Sequence, residues 1–335
     1  MSEFEIIRRY FTGRGINRED VVIGIGDDAA VVQVPPDCDL VTVVDTLVAG
    51  VHFFPDARPE DVGHKALAVN LSDVAAMAAT PAWVTLSLTI PSYDEAWLSG
   101  FARGFFELAD RFGVQLVGGD TTRGPLSVTI QVHAWVRKDR AVRRSGAAPG
   151  DVVFLTGTVG DAGLALHVRQ QKLDLPPPNG DLLFTRLHRP EPRCREGEAL
   201  SGVATAMIDI SDGLVADLNH ILDDSDVGAT VNLQDIPLSS SFSDAVVKGN
   251  YFLNEDDKLR LVLGSGDDYE LCFTVSPLQT QRVSELFSSF SCGLRAIGVI
   301  ENLPGLRLKR RDGTLMTMGQ GGYDHFARDS SNAGR

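Results

Sequence analysis

Carboxylates recur in this chain at the ends of apolar, strand-like runs, beside glycines and other small residues. Five segments carry the pattern: Gly26-Asp27-Asp28, Val44-Asp45-Thr46, Gly118-Gly119-Asp120, Asp209-Ile210-Ser211-Asp212-Gly213 and Gly266-Asp267-Asp268. An isolated carboxylate is expensive to take out of water, whereas several that face one divalent ion are neutralised by it. Hard oxygen ligands select Mg²⁺ or Mn²⁺ over zinc. The chemistry that calls for so many is that of a polyphosphate substrate.

Each segment also has a plainer reading. Gly24-Ile25-Gly26-Asp27-Asp28-Ala29 satisfies the dinucleotide pattern GxGxxG/A, but Ala30-Val31-Val32-Gln33-Val34 then reads as a second strand where that pattern needs a helix. Its carboxylates would also face the phosphates, at roughly 4 kcal/mol for each like-charge contact. A metal between them reverses the sign, and a polar turn explains the motif equally well. Asp45 reads as a strand-end ligand, with His52 a short loop later. His52 alone reads as structural; beside a metal cluster, an imidazole could hold a substrate phosphate. Asp73 and Asn70 stand three apart on one helix face among alanines, so Asp73 either caps a neighbouring element or points into a polar site. Gly118-Gly119-Asp120-Thr121-Thr122 follows a short strand and is either a plain turn or, the reading preferred, a segment whose paired glycines let the backbone approach a phosphate while Asp120 meets its metal. Arg143 and Arg144 offer guanidinium forks suited to phosphate, or simply a solvated surface. Asp209 and Ser211 alternate on one strand face, and Ser211 or Asp212 can cap the helix that follows. Gly264 to Glu270 reads as a substrate-facing loop ahead of a strand. No Gly-Lys dipeptide occurs, which excludes a P-loop, and the protein-kinase HRD and DFG motifs are missing.

The elements that must position these residues alternate. Strands are expected at residues 21–23, 40–44, 83–90, 114–117 and 126–136, with helices over 59–79 and 93–112. Ala148-Pro149-Gly150-Asp151 then breaks the chain. Beyond it, strands are expected at 152–156, 206–210, 229–233, 271–275 and 296–300, and helices reaching to 168 and over 214–222 and 279–290. The expectation is an α/β protein of two domains, residues 1–148 and 149–328, with a disordered tail over 329–335. A GxGDD echo, at Gly24–Asp28 and again at Gly264–Asp268, suggests duplication but is short enough for chance.

Composition narrows the partners. With 335 residues, 43% of them hydrophobic, the chain can bury two cores. A formal net charge of −14 argues against nucleic acid or an anionic membrane. Cys38, Cys194, Cys272 and Cys292 lie far apart with no CxxC, which indicates neither a disulfide framework nor structural zinc and fits a reducing cytoplasm. No apolar run is long enough to span a bilayer.

In this order the segments resemble the thiamine-monophosphate kinase family, within the superfamily of aminoimidazole ribonucleotide synthetase, selenophosphate synthetase and hydrogenase maturation factor. The resemblance rests on GIGDDAAV, DTLVAGVHF, KALAVNLSDVAAMAATPAW, LVGGDTTRGPLS, RSGAAPGD, IDISDGLVADL, GDDYELCFTV and GYDHF, from Gly24 to Phe326. It implies an N-terminal domain that lends strands to a β-barrel across a homodimer, and a C-terminal α/β domain. The implied reaction passes the γ-phosphoryl of ATP in line to thiamine monophosphate, giving thiamine diphosphate, the last step of its biosynthesis, with no covalent nucleophile. Carried over, Asp28, Asp45, Asp73, Asp120, Asp209 and Asp212 match magnesium ligands; Gly119, Asp120, Arg144 and Ser211 match ATP contacts; and His52, Asp267 and Tyr323 match the thiamine phosphate site. Several Mg²⁺ ions are implied, and K⁺ is allowed. Two departures stand out: Val43-Val44 replaces the Ser-Thr frequent in relatives, and Ser265-Gly266-Asp267-Asp268 replaces Gly-Gly-Glu-Asp. The rivals are a sibling using ATP on another small acceptor and a non-catalytic acidic protein that binds divalent metal.

Overall fold

The computed structural model describes residues 2–173, 175–248 and 253–318. The first part of the chain runs α1 (Glu3–Tyr10), β1 (Val21–Ile23), β2 (Val31–Val32), β3 (Cys38–Val48), α2 (Pro59–Ala76), β4 (Thr80–Ile90), α3 (Glu95–Phe112), β5 (Gln115–Arg123) and β6 (Ser127–Arg137). Strands β3, β6, β4 and β5 form one sheet in that order, antiparallel except where α3 carries the chain from β4 to its parallel neighbour β5. The helix boundaries follow local chemistry. Asp94 accepts the N–H of Trp97 ahead of α3, and Gly113, left-handed at φ 68°, closes it. Pro59 opens α2, with Glu60 and Asp61 in its first turn.

The second part runs β7 (Val152–Thr156), α4 (Asp161–Gln170), α5 (Asn179–His188), α6 (Cys194–Ala199), β8 (Ala206–Asp209), α7 (Leu214–Ser225), β9 (Gly228–Asn232), α8 (Ser240–Lys248), α9 (Glu255–Gly264), β10 (Leu271–Val275), α10 (Thr280–Phe287), β11 (Leu294–Glu301), β12 (Gly305–Lys309) and β13 (Leu315–Met316). Its strands form a seven-stranded sheet in the order β13-β12-β9-β11-β7-β10-β8, with β8 at one edge.

α2 joins the two parts. The sequence suggests an amphipathic stripe of Leu67, Leu71, Val74 and Met77, but the helix is buried around most of its circumference. One core gathers Leu67, Leu71 and Val74 of α2 with Met207 of β8 and Leu271 and Phe273 of β10. A second draws its buried members from Ala147 onward, with Phe54 of the first part packed against it. Polar contacts tie α2 across the same seam: His64 Nε2 lies 2.9 Å from the Pro190 carbonyl, and Cys194 Sγ lies 3.4 Å from that of Leu71.

Three expectations need correction. Asp45 lies inside β3, three residues before its end, because pairing with β6 continues from Cys38 to Val48. Gly118, Gly119 and Asp120 lie within β5 rather than after it, since β5 stays paired with β4 as far as Arg123. The helix after Asp209 is not capped by Ser211 or Asp212: Gly213 stands at its N-cap, and the Asp217 carboxylate receives the N–H groups of Ser211, Asp212 and Gly213 at 3.0, 3.1 and 3.1 Å. Among the described residues, no helix is long and apolar enough to cross a membrane.

Candidate active site

Asp45 on β3, Asp73 near the end of α2 and Asp209 at the end of β8 come together at the seam. Asp45 is level with Ile130, a buried residue of β6, and so lies on the sheet face that α2 covers. Its carboxyl shares a hydrogen bond with that of Asp73. Burial, then the charges of Asp209 and Asp45, push the Asp73 carboxyl up to about 9, with Arg144 pulling against them. Asp209 is 3% exposed, and burial raises it to about 6 although Ser72 Oγ donates to its Oδ2 at 2.7 Å. Burial also raises Asp45, against the opposing bond from Asp73 and the charge of His52. Without a further cation, the neutral form of Asp73 is the favoured one at neutral pH.

Neighbouring elements hold the cations. The carbonyl of Arg143 accepts the N–H of Met207 at 2.9 Å, which lays the Arg143-Arg144 segment along the edge strand β8. His52 Nδ1 accepts the N–H of Val48 at 3.0 Å. Ser211 and Asp212 occupy the turn between β8 and α7. Against that turn lies the Asp267 loop: its N–H groups at Asp267 and Tyr269 donate to the carbonyls of Ser211 and Ile210 at 2.9 and 2.8 Å. Gly266 is required there, because a Cβ would come within 1.9 Å of the Ser211 carbonyl oxygen. The structure thus draws Asp45, Asp73, Asp209 and Arg144 into one electrostatic group, with His52 beside Asp45 and Ser211, Asp212 and Asp267 alongside Asp209.

Two expected ligands lie outside that group. Asp28 is exposed in the loop between β1 and β2, where Asp27 Oδ1 accepts its N–H at 2.9 Å. The two strands pair as an antiparallel hairpin, so the glycines of this motif do not open a helix. Asp120 is exposed on β5, and its row runs through Ser87 and Thr129 to Thr46, one residue from Asp45 but three strands away. Gly119 lies in Asp45's own row. Tyr323 lies outside the described residues.

Sequence reasoning missed several supporting side chains. Ser72 holds Asp209, Lys65 pairs with Asp267 at 2.9 Å, and Asp217 gathers the turn after β8. The signal was available for two of them, because Lys65 and Ser72 are seven residues apart on a helix already carrying Asp73. Behind the Asp267 loop, Glu270 is wholly buried and receives Arg193 at 2.7 and 2.5 Å, Arg186 at 2.6 Å and Thr156 at 2.7 Å.

Divalent metal fits this chemistry, although among the described residues no three His, Cys, Asp or Glu side chains already close on one point. Three neighbouring acids, all pushed upward in pKa, form a donor set whose negative charge Arg144 and His52 only partly offset, and all are oxygen donors. Asn70, one turn before Asp73, adds a buried Oδ1 with no hydrogen-bond partner among the described residues.

Comparison with known proteins places the chain in a family. Residues 26–136 match the family model "AIR synthase related protein, N-terminal domain", and residues 148–310 match "AIR synthase related protein, C-terminal domain". The thiamine-monophosphate kinase of Escherichia coli is 45% identical over 97% of this chain and 98% of its own length; that of Bacillus subtilis is 34% identical over 97% and 100%. The crystal structure of thiamine-monophosphate kinase from Stenotrophomonas maltophilia superposes with TM-score 0.82 at 42% identity, covering 89% of this chain and 93% of that one. A structure of AaThiL complexed with AMPPCP and TMP superposes with TM-score 0.76 at 30% identity, covering 88% and 89%. The chain belongs to the AIR synthase related family, and within it to the thiamine-monophosphate kinases.

Proposed function

We propose that this chain transfers the γ-phosphoryl group of ATP to the phosphate of thiamine monophosphate, giving thiamine diphosphate and ADP. The chain is an enzyme, a kinase, as its identity to curated thiamine-monophosphate kinases supports. AaThiL in complex with an ATP analogue and TMP supports both substrates. The observation that carries the reading is the meeting of Asp45, Asp73 and Asp209 at the seam between the two sheets, with all of their pKa values raised.

The acceptor phosphate is already ionised, so it needs no strong base. The obstacle is repulsion between two polyanions. Asp45, Asp73 and Asp209 would hold Mg²⁺, which would supply the positive charge that offsets this repulsion. In this reading Asp45, Asp73 and Asp209 form the centre of the ligand set, and Asp28, Asp120 and Asp212 complete it from the hairpin, β5 and the β8–α7 turn. Gly119, Asp120, Arg144 and Ser211 hold ATP, and Arg144 screens its phosphate tail. His52, Asp267 and Tyr323 hold thiamine monophosphate. Catalysis is then positioning and charge neutralisation, without a phosphoenzyme. The same reading takes the chain as a cytoplasmic homodimer of two domains, residues 1–148 and 149–328.

The test is direct. The protein is mixed with MgATP and thiamine monophosphate, and thiamine diphosphate and ADP are followed by chromatography. Equimolar formation of the two is expected. ATP consumption only with a different acceptor, or metal binding with no turnover, overturns the reading.

A further inference from the structure

Lys65 has no part in the reading above, yet it is 4% exposed and its ammonium is aimed at the acceptor loop. Nζ lies 2.9 Å from Asp267 Oδ1 and 3.4 Å from the His52 carbonyl oxygen, so one cation touches two segments assigned to thiamine monophosphate. The Tyr269 hydroxyl donates to the same Oδ1 at 3.0 Å. Both donors on one oxygen fix the carboxylate at one end.

The loop backbone does not need this help. Asp267 and Tyr269 are both left-handed, at φ 67° and 51°, a conformation that non-glycine residues keep only when their surroundings enforce it. Here the enforcement comes from the bonds to Ser211 and Ile210 and from the Asp268 carboxylate, which receives the Gly160 N–H at 3.0 Å. Those contacts set where Asp267 starts; Lys65 and Tyr269 set where its carboxylate points. A lysine stem exposed to water would wander over many rotamers, whereas this one is confined inside the seam.

α2 adds a second constraint. Lys65 and Ser72 are two turns apart on one helix face, about 10 Å along a rigid axis. Through Ser72 the helix holds Asp209 of the metal-ligand group, and through Lys65 it holds Asp267 of the acceptor loop. We propose that Lys65 is a positioning residue for the acceptor substrate: it orients Asp267 toward thiamine monophosphate and fixes the acceptor loop at a set distance from the metal ligands. This rests on the reading of Asp267 as an acceptor-binding residue.

The test uses the full-length protein and initial rates with each substrate varied in turn. Lys65→Met is expected to raise KM for thiamine monophosphate at least ten-fold and to leave KM for ATP within two-fold. Lys65→Arg should recover part of the loss. The double variant Lys65→Met with Asp267→Asn should be no worse than Asp267→Asn alone, because one residue acts through the other. An unchanged KM for thiamine monophosphate, an equal rise in both KM values, or single effects that multiply in the double variant overturns the inference. If Lys65→Met does not fold by circular dichroism, Tyr269→Phe removes the other donor and must show the same split between substrates; an unaltered split there overturns the proposal. A wild-type protein that forms no thiamine diphosphate sinks the functional reading itself, whereas an active wild type with an indifferent Lys65→Met sinks only this step.

Discussion

At Asp73 the interests of folding and of chemistry are opposed. Its carboxyl, raised to about 9, is crowded by Asp45 and Asp209 in a half-buried place. Exchange of such a group for its neutral isostere removes like-charge repulsion and leaves the packing in place. Asp73→Asn is therefore expected to melt at or above the wild-type temperature in metal-free buffer, while kcat with MgATP falls by at least about 10²-fold, the scale of losing one charge-stabilising group. Calorimetry and a rate assay on the same sample check both halves. A variant clearly less stable than wild type contradicts the repulsion argument, and one of normal activity contradicts the ligand assignment. The carboxylates themselves were legible in the sequence, because residue type alone announces them. Ser72 and Lys65 could be placed on the helix that carries Asp73 by their spacing, but what they hold was not legible, since Asp209 and Asp267 arrive from the other end of the chain.

At the scale of elements, β5 shows how tertiary pairing overrides local preference. Two glycines and an aspartate read as lying past the end of a strand, but the register with β4 keeps them in the sheet. Gly119 survives there because its φ is 150° and an added Cβ would lie 1.9 Å from the Leu86 carbonyl oxygen. Gly119→Ala is expected to cost roughly 1–3 kcal/mol in denaturant unfolding, the range for a strained backbone substitution, and to lower activity by displacing Asp120. A fully stable, fully active variant refutes this. β1, β6, β8, β9 and β10 were read from sequence to within a residue of their ends, whereas β3 and β5 were cut short and α5, α6, α8, α9, β12 and β13 were missed; Arg186 of α5 and Arg193 ahead of α6 pair with Glu270, far along the chain. That acid gives a second prediction. Burial pushes the Glu270 carboxyl up, but Arg193 and Arg186 outweigh it and hold it below its ordinary value of 4.5. A depressed carboxylate contributes stability above its unfolded pKa and loses it as pH falls through the folded value. Glu270→Gln, which leaves buried arginine charge uncompensated, should cost about 3–5 kcal/mol near pH 7. The gap to wild type should narrow once pH drops below about 4.5. Urea unfolding at pH 7 and pH 4 measures it; a gap that widens on acidification reverses the sign and defeats the argument.

For the whole molecule, the exposed apolar side chains of β3 bear on assembly. Leu40 and Val44 stand outward on this edge strand, 52% and 57% exposed. An unpaired apolar edge invites another chain, in keeping with the proposed homodimer. Sedimentation is expected to give twice the chain mass, and Leu40→Lys should shift the population toward the single-chain value. A wild-type protein that sediments as one chain at all concentrations defeats the proposal.

The core that crosses the seam also governs how the protein comes into being. Leu67, Leu71 and Val74 are synthesised early, but Met207, Leu271, Phe273 and Phe287, which complete the same cluster, come 130 to 220 residues later. At about 5–20 residues per second, the apolar side of α2 waits on the order of ten seconds for its cover. The nascent chain therefore passes through an interval in which the side of α2 that meets β8 and β10 is an uncovered apolar surface, and a ribosome paused before β10 would hold it there.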